Sequence, residues 1–463
     1  MTRGLATRSF TIAILVAVIT TGCGRIGNAK DVRKALDRGV TDIELPAGEI
    51  YLDRPLVIPK GSKNVSIRGN YAGSTVVMNQ GFEGSAAIVA RGAAHVTLSA
   101  FTIIGDRTEM NSDWQLPLRE AAFADYYTGN GIVIRGSSDV NIRNVKFSHI
   151  RAFPIIINAT SKTMIDSVTI EDCGTLDRQG HNNTTGGILI EEGSGGFEVR
   201  GSSISRIPGN AIWTHSYARS PRQSDGVIRD NTVTMVARDA IQIGHATRVR
   251  VENNHGSDIG FPPDSIDFAG FGTPVAIDTA GNVDHAVYTG NQFKTVNGQC
   301  IDLDGFHDGE VTGNVCENLA SSAAKWMGLH FGILFGNHDP GMTSTNVTVS
   351  GNTIRGFAYG GVFLIGDHHR VENNRFLDIN LAHCGSLPVS SKCNAMLDEP
   401  EALRSGIYLS NNGGRLTTTR DNIIRNNVIE GFGIPLHCVL AKLGVDLRAN
   451  TISGNSCQDP SVP

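Results

Sequence analysis

Short runs in which apolar and polar positions alternate recur along most of the chain. Gly131-Ile-Val-Ile134, Gly187-Ile-Leu-Ile190, Ala240-Ile-Gln-Ile243 and Cys300-Ile-Asp-Leu303 share one form. A period of two over so short a run, with β-branched side chains, predicts a strand. A second run follows, as in Val249-Arg-Val251 and Val347-Thr-Val349, and then a turn. Gly, Asn, Asp and Ser fill the gaps, and these residues tolerate the left-handed backbone of tight corners. Helical periodicity is nearly absent.

The turn carries an asparagine that keeps returning. Asn231, Asn254, Asn291, Asn314, Asn352, Asn374, Asn427 and Asn450 share one local pattern, at steps of 23, 37, 23, 38, 22, 53 and 23 residues. The short step is the unit, and each longer step adds an insertion. A unit of about 22 residues with two or three short strands predicts a solenoid that stacks as a parallel β-helix. A β-sandwich would instead show hairpin turns about every 8–12 residues. Asparagines at one corner would hydrogen-bond from coil to coil, as side-chain ladders do in stacked strands.

A chain of 463 residues normally divides into two or three domains, but a solenoid core grows in one dimension and escapes that rule. No linker or charge block interrupts the repeats, so residues 23–463 are read as one domain, expected to be monomeric. Net charge is −5, and −7 once Arg3 and Arg8 are set aside. That balance argues against nucleic acid or anionic lipid as a partner. The two arginines open an expected signal peptide over residues 1–22. Its apolar run, residues 10–19, is too short to span a bilayer. Thr20-Thr21-Gly22-Cys23 follows and resembles a bacterial lipobox, with threonine where an aliphatic residue is usual. The expectation is export to the cell envelope, with membrane contact only through a lipid on Cys23, or else release to the periplasm or medium.

Eight cysteines are present. Cys384 and Cys393 flank a short loop that a disulfide would staple in an oxidising compartment, and Cys438 with Cys457, between the last two coils, is a second candidate pair. Cys300 and Cys316 read as small core hydrophobes. No cysteine or histidine spacing marks a zinc site.

Residues 31–38 (DVRKALDR) place Val32, Ala35 and Leu36 on one side and predict a short capping helix. They lead into residues 41–58, TDIELPAGEIYLDRPLVI. Helix, strand, PAG-x-x-Y-L turn and repeated coils together resemble the entry of the pectin-lyase-like family of right-handed β-helix proteins. The resemblance implies an all-β, right-handed parallel β-helix of about 10–12 coils behind a short N-terminal helix. It also implies a carbohydrate-active surface protein acting on a polysaccharide or oligosaccharide. Which activity it carries must be argued from the site.

In each aliphatic run two residues point into the coil and the residue between them points out. Aligned, the runs give an outward column of Val133, Ile156, Leu189, Trp213, Gln242, Asp278, Asp302, Leu334, Phe363, Tyr408 and His437. A second column, two residues on, includes Arg135, Asn158, Glu191, His215 and Asp304. Coils stack about 4.8 Å apart. Asp278, Asp302 and Asp304 then meet on two coils, and at least one pKa should rise. A protonated carboxyl beside an ionised one is what glycoside hydrolysis needs. One gives a proton to the leaving oxygen; the other activates water or attacks the sugar. These three are the candidate catalytic residues. Trp213 and Tyr408 offer flat faces to a sugar, and His215, Gln242 and His307 are candidate polar contacts. Insertions at 216–226 and 261–273, with Tyr217, Phe261, Phe268 and Phe271, would wall a groove.

Other readings stand beside this one. No cofactor is required and no metal ligand is assigned, but clustered acids also suit calcium or a plain solvated face. Asp278-Thr-Ala and Asp302-Leu-Asp304 match the acids of polygalacturonases only loosely, and no Gly-His-Gly follows. A polysaccharide lyase or uronate epimerase would want a cationic base, yet the outward columns hold only Arg135, with Arg219, Arg222 and Lys325 in loops. His338-Asp339 and Asp367-His368-His369 read as loop polars. The non-enzymatic alternative is a glycan-binding surface protein with a shallow face.

Overall fold

The structure is a computed structural model that describes residues 28–114, 121–217, 219–265, 272–318, 328–386, 393, 395–396 and 398–460. The expected signal peptide, Cys23, Phe268, Phe271 and Lys325 lie outside these residues. Each strand pairs in parallel with the strand one coil away, and three sheets result. Two of them hold 14 strands, more than the 10–12 coils expected. The undercount has a local cause. Coils before Asn231 carry no asparagine at the marked corner; Ser202 stands there instead, accepting from the Val168 amide.

Alternation builds the core as the sequence requires. Ile132, Ile134, Ile155, Ile157, Ile188, Ile190, Ile241 and Ile243 line the interior of one sheet, all fully buried. The asparagine ladder closes one corner. Asn231, Asn254, Asn291, Asn314, Asn352, Asn374 and Asn427 each donate Nδ2 to the next asparagine's Oδ1 at 2.9–3.0 Å. The same Nδ2 also donates to a backbone carbonyl of the preceding coil, as from Asn314 to Tyr288 at 2.9 Å. The last rung is Asn455 rather than Asn450. Asn450 belongs to a separate corner, where it accepts from Asn422.

The ends are closed differently. The N-terminal helix runs Ala29–Asp37, two residues earlier than expected, because the Asn28 side chain caps the amides of Lys30 and Asp31. Its Val32 and Leu36 are buried against the first coil. Cys384–Cys393 and Cys438–Cys457 are disulfides, as expected. Cys300 and Cys316 are not separate core thiols but a third disulfide. Cys173 is free and buried.

Candidate functional site

Strand register fixes the outward column. Val133, Ile156, Leu189, Trp213, Gln242 and Asp278 are successive partners, and Asp302, Leu334, Phe363 and Tyr408 continue the line. The pairs Ile277↔Ile301 and Ala280↔Asp304 set Asp278 beside Asp302. The column ends on Leu440, not His437, which lies in a turn. Asp304 follows where the strands Val275–Asp284 and Gln299–His307 bend between sheets. That bend needs Gly305: its φ is +80°, and a Cβ there would sit 2.2 Å from the Gly281 carbonyl oxygen.

A fourth carboxylate joins the cluster. Asp239 precedes the strand Ile241–Gly244 and is 1% exposed. Its Oδ1 accepts from the Val275 amide at 3.0 Å, and its Oδ2 is buried without a hydrogen-bond partner. Asp302 receives Gln299 Nε2 at 3.1 Å on one oxygen, while its Oδ1 is buried and unpartnered. The Gln299 Oε1 is unpartnered as well. Asp278, 8% exposed, is held by Gln242 Nε2, and Gln242 in turn accepts from Asn210 Nδ2 at 2.8 Å.

Burial is the first cause of the electrostatics here. It raises the Asp278 carboxyl to about 6, with neighbouring Asp304 adding to the rise. Burial raises Asp302 well above the carboxylate range, and the charges of Asp278 and Asp304 push the same way. Asp239 is raised well above it too, by burial and then by Asp278. Arg238 opposes this: its Nε lies 3.5 Å from Asp239 Oδ2. Asp304 has a partner of its own, the His338 ring at 3.0 Å and the His338 amide at 3.1 Å.

The acids form a polar window between two covered apolar stretches of one column. On one side Val133, Ile156, Leu189 and Trp213 pack under an insertion that contributes Phe123 and Tyr127. Phe123 meets the Trp213 ring edge-on at 5.1 Å and lies parallel to the His215 ring at 4.8 Å. On the other side Leu334, Phe363 and Tyr408 are buried, with Tyr408 stacked on Phe363 at 6.0 Å. The turn Pro400–Arg404 lies against that strand.

Similarity to known proteins agrees with this architecture. The sequence model described as "Right handed beta helix region" matches residues 63–271 and 275–459. The chain belongs to this right-handed β-helix family. No curated protein matches it. Among solved structures it is similar to PfbA, a surface adhesin of Streptococcus pneumoniae, at 17% identity, TM-score 0.57, and coverage of 76% of this chain and 88% of that one. It is also similar to the catalytic unit of a GH87 alpha-1,3-glucanase from Streptomyces thermodiastaticus strain HF3-3, at 15% identity and TM-score 0.53. That match covers 92% of this chain and 65% of the glucanase unit. The Dettilon tailspike protein is similar at 14% identity and TM-score 0.52, over 82% of this chain and 64% of that one. At these identities the likeness is one of fold.

Several site expectations for this β-helix protein are corrected by packing. Trp213 and Tyr408 are 8% and 3% exposed, so neither ring is an open platform. His307 has both ring nitrogens engaged, by Asp308 at 2.8 Å and Asn282 at 2.9 Å. Gln242 stays on the outward line but is engaged at both ends, by Asn210 and Asp278, so its amide holds Asp278 and is not left free for a sugar. His215 sits beside Glu191, three strand spacings from Asp304, about 14 Å. Three neighbours of the acids were missed: Asp239, Arg238 and His338. Position 239 shares parity with the inward Ile241 and Ile243, so alternation hides it. Asn210 and Gln299 gave a signal, because both are polar at the same strand-entry position and both reach the outward column.

Proposed function

We propose that this chain is an exported polysaccharide-active enzyme, a glycoside hydrolase that works at the cluster of Asp239, Asp278, Asp302 and Asp304. The observation that carries this reading is a set of buried oxygens that accept no hydrogen bond: Asp302 Oδ1, Gln299 Oε1 and Asp239 Oδ2, the last with only the ion-pair contact of Arg238 Nε at 3.5 Å. Buried oxygens of this kind call for a proton or a ligand hydroxyl. Asp302, whose carboxyl burial raises well above the usual carboxylate range, serves as general acid to the glycosidic oxygen. Asp278, at about 6, is mostly ionised and serves as base or nucleophile. Gln242 orients Asp278, and the ring and amide of His338 hold Asp304 in place.

Export is supported by three disulfides, which persist in oxidising compartments. No helix among the described residues is long and apolar enough to cross a membrane. Attachment through a lipid on Cys23 belongs to the same proposal.

One observation favours elimination as the second reading. Arg238, absent from the sequence-based columns, places a cation against the cluster. One experiment separates the alternatives. Purified protein is incubated with a panel of neutral and acidic polysaccharides, and both reducing ends and unsaturated-product absorbance are followed. Reducing ends alone, lost in Asp302→Asn, are expected. Absorbance would transfer the proposal to a lyase. Binding without either signal would make the chain a glycan-binding surface protein.

A further inference from the structure

A second group of donors lies outside the acid cluster. Glu191, Glu192 and His215 each offer one ligand atom, and these atoms all lie within 4.8 Å of one another. Glu191 and His215 are register partners on adjacent coils. Glu192 joins them because its φ of +57° breaks the strand's alternation at that point.

The three side chains differ in what they have left to give. Glu191 is fully buried. Its Oε1 accepts from the Ala124 amide at 2.8 Å and from Asn158 Nδ2 at 2.9 Å. Among the described residues its Oε2 accepts only from the Phe123 amide, at 2.8 Å, which leaves one lone pair. Glu192 uses Oε1 for the Tyr217 amide at 2.9 Å. The His215 Nδ1 is buried and has no hydrogen-bond partner. No cation offsets the two carboxylates among the described residues. Arg135, two coils away on the same column, is engaged by Asp125.

We infer that Glu191, Glu192 and His215 bind one divalent transition-metal cation, of the Zn²⁺ or Mn²⁺ class. Buried carboxylates are paired or hold a metal, and here an imidazole stands in place of the missing cationic partner. One nitrogen and two oxygens form a donor set that suits zinc. Bonds of about 2.0–2.2 Å put ligand atoms about 3–4 Å apart, so small side-chain rotations close the group. The three hydrogen bonds to Glu191 are the outer contacts that orient a ligating carboxylate. Two of them come from amides at the start of the Phe123–Tyr126 turn. The cation would therefore fasten the aromatic insertion to two coils, independently of chemistry at the aspartates.

The test uses protein stripped with chelator and titrated with ZnCl₂ by calorimetry, with melting temperature as a second readout. One equivalent should bind at micromolar dissociation constant or tighter and raise the melting temperature. His215→Ala and Glu192→Gln should each weaken binding at least about tenfold, since loss of even an outer contact to a ligand costs that much, with circular dichroism unchanged. Asp302→Asn should bind as the parent does, which separates this site from the acid cluster. Absence of binding at millimolar Zn²⁺ would overturn the inference. So would binding that ignores both His215→Ala and Glu192→Gln, or calcium binding equally tightly with no dependence on His215.

Discussion

Asp278→Asn should stabilise this protein at neutral pH and leave it nearly unchanged in acid. In the folded chain burial lifts the Asp278 carboxyl to about 6 from its ordinary value of 3.8. The folded state therefore binds a proton more tightly than the unfolded state. The stability this provides is fully present below the unfolded pKa and is lost as pH rises through the folded one. Each pKa unit is about 1.36 kcal/mol, so the charge penalty approaches 3 kcal/mol above the folded pKa. Asparagine keeps the shape and an acceptor for Gln242 but never ionises. The variant-minus-parent difference in unfolding free energy should grow by about 2–3 kcal/mol between pH 4 and pH 8. Removing the charge should also ease ionisation of Asp239 and Asp302, which Asp278 pushes upward. Equilibrium urea denaturation at several pH values measures the difference. A difference that changes by less than about 1 kcal/mol over that range would mean a solvated carboxylate, and the argument for a buried acid cluster would fail.

Three further outcomes follow from the same structure. Asp302→Asn should lower turnover on a responsive polysaccharide at least about a hundredfold if Asp302 is the acid or base; wild-type turnover would remove it from the mechanism. Asn314→Ala should destabilise by about 1–3 kcal/mol for each orphaned group, because Asn291 N–H and Nδ2 both lose their acceptor. The half-buried Asn455→Ala should lose less, since water reaches that end, and equal losses in urea titrations would contradict the ladder's buried character. Cys438→Ser with Cys457→Ser opens a loop of 19 residues and should remove about 3 kcal/mol. Faster hydrogen exchange confined to residues 430–460 would show it, and unchanged exchange there would count against it.

Local sequence determined the coil. Period-two alternation assigned Ile132, Ile188, Ile241 and Ile277 to the interior, and they are buried there. It also placed Trp213, Gln242, Asp278 and Tyr408 on one outward line, and strand register reproduces that line. These are nearest-neighbour properties of a stacked chain, written anew in each repeat. Tertiary structure decided what covers the line. Phe123 lies 90 residues before Trp213 in the sequence, yet it closes over Trp213 and His215 and makes an outward face a second core. Insertions obey no repeat, so their contacts are invisible to periodicity. The environment of the acids was likewise a matter of packing. Asp239 turns toward the cluster from a position whose parity points inward, His338 reaches Asp304 from a distant loop, and Gln242 closes on Asp278. Burial sets these carboxyl pKa values, and burial is a property of the whole fold, not of the residues that carry the charge.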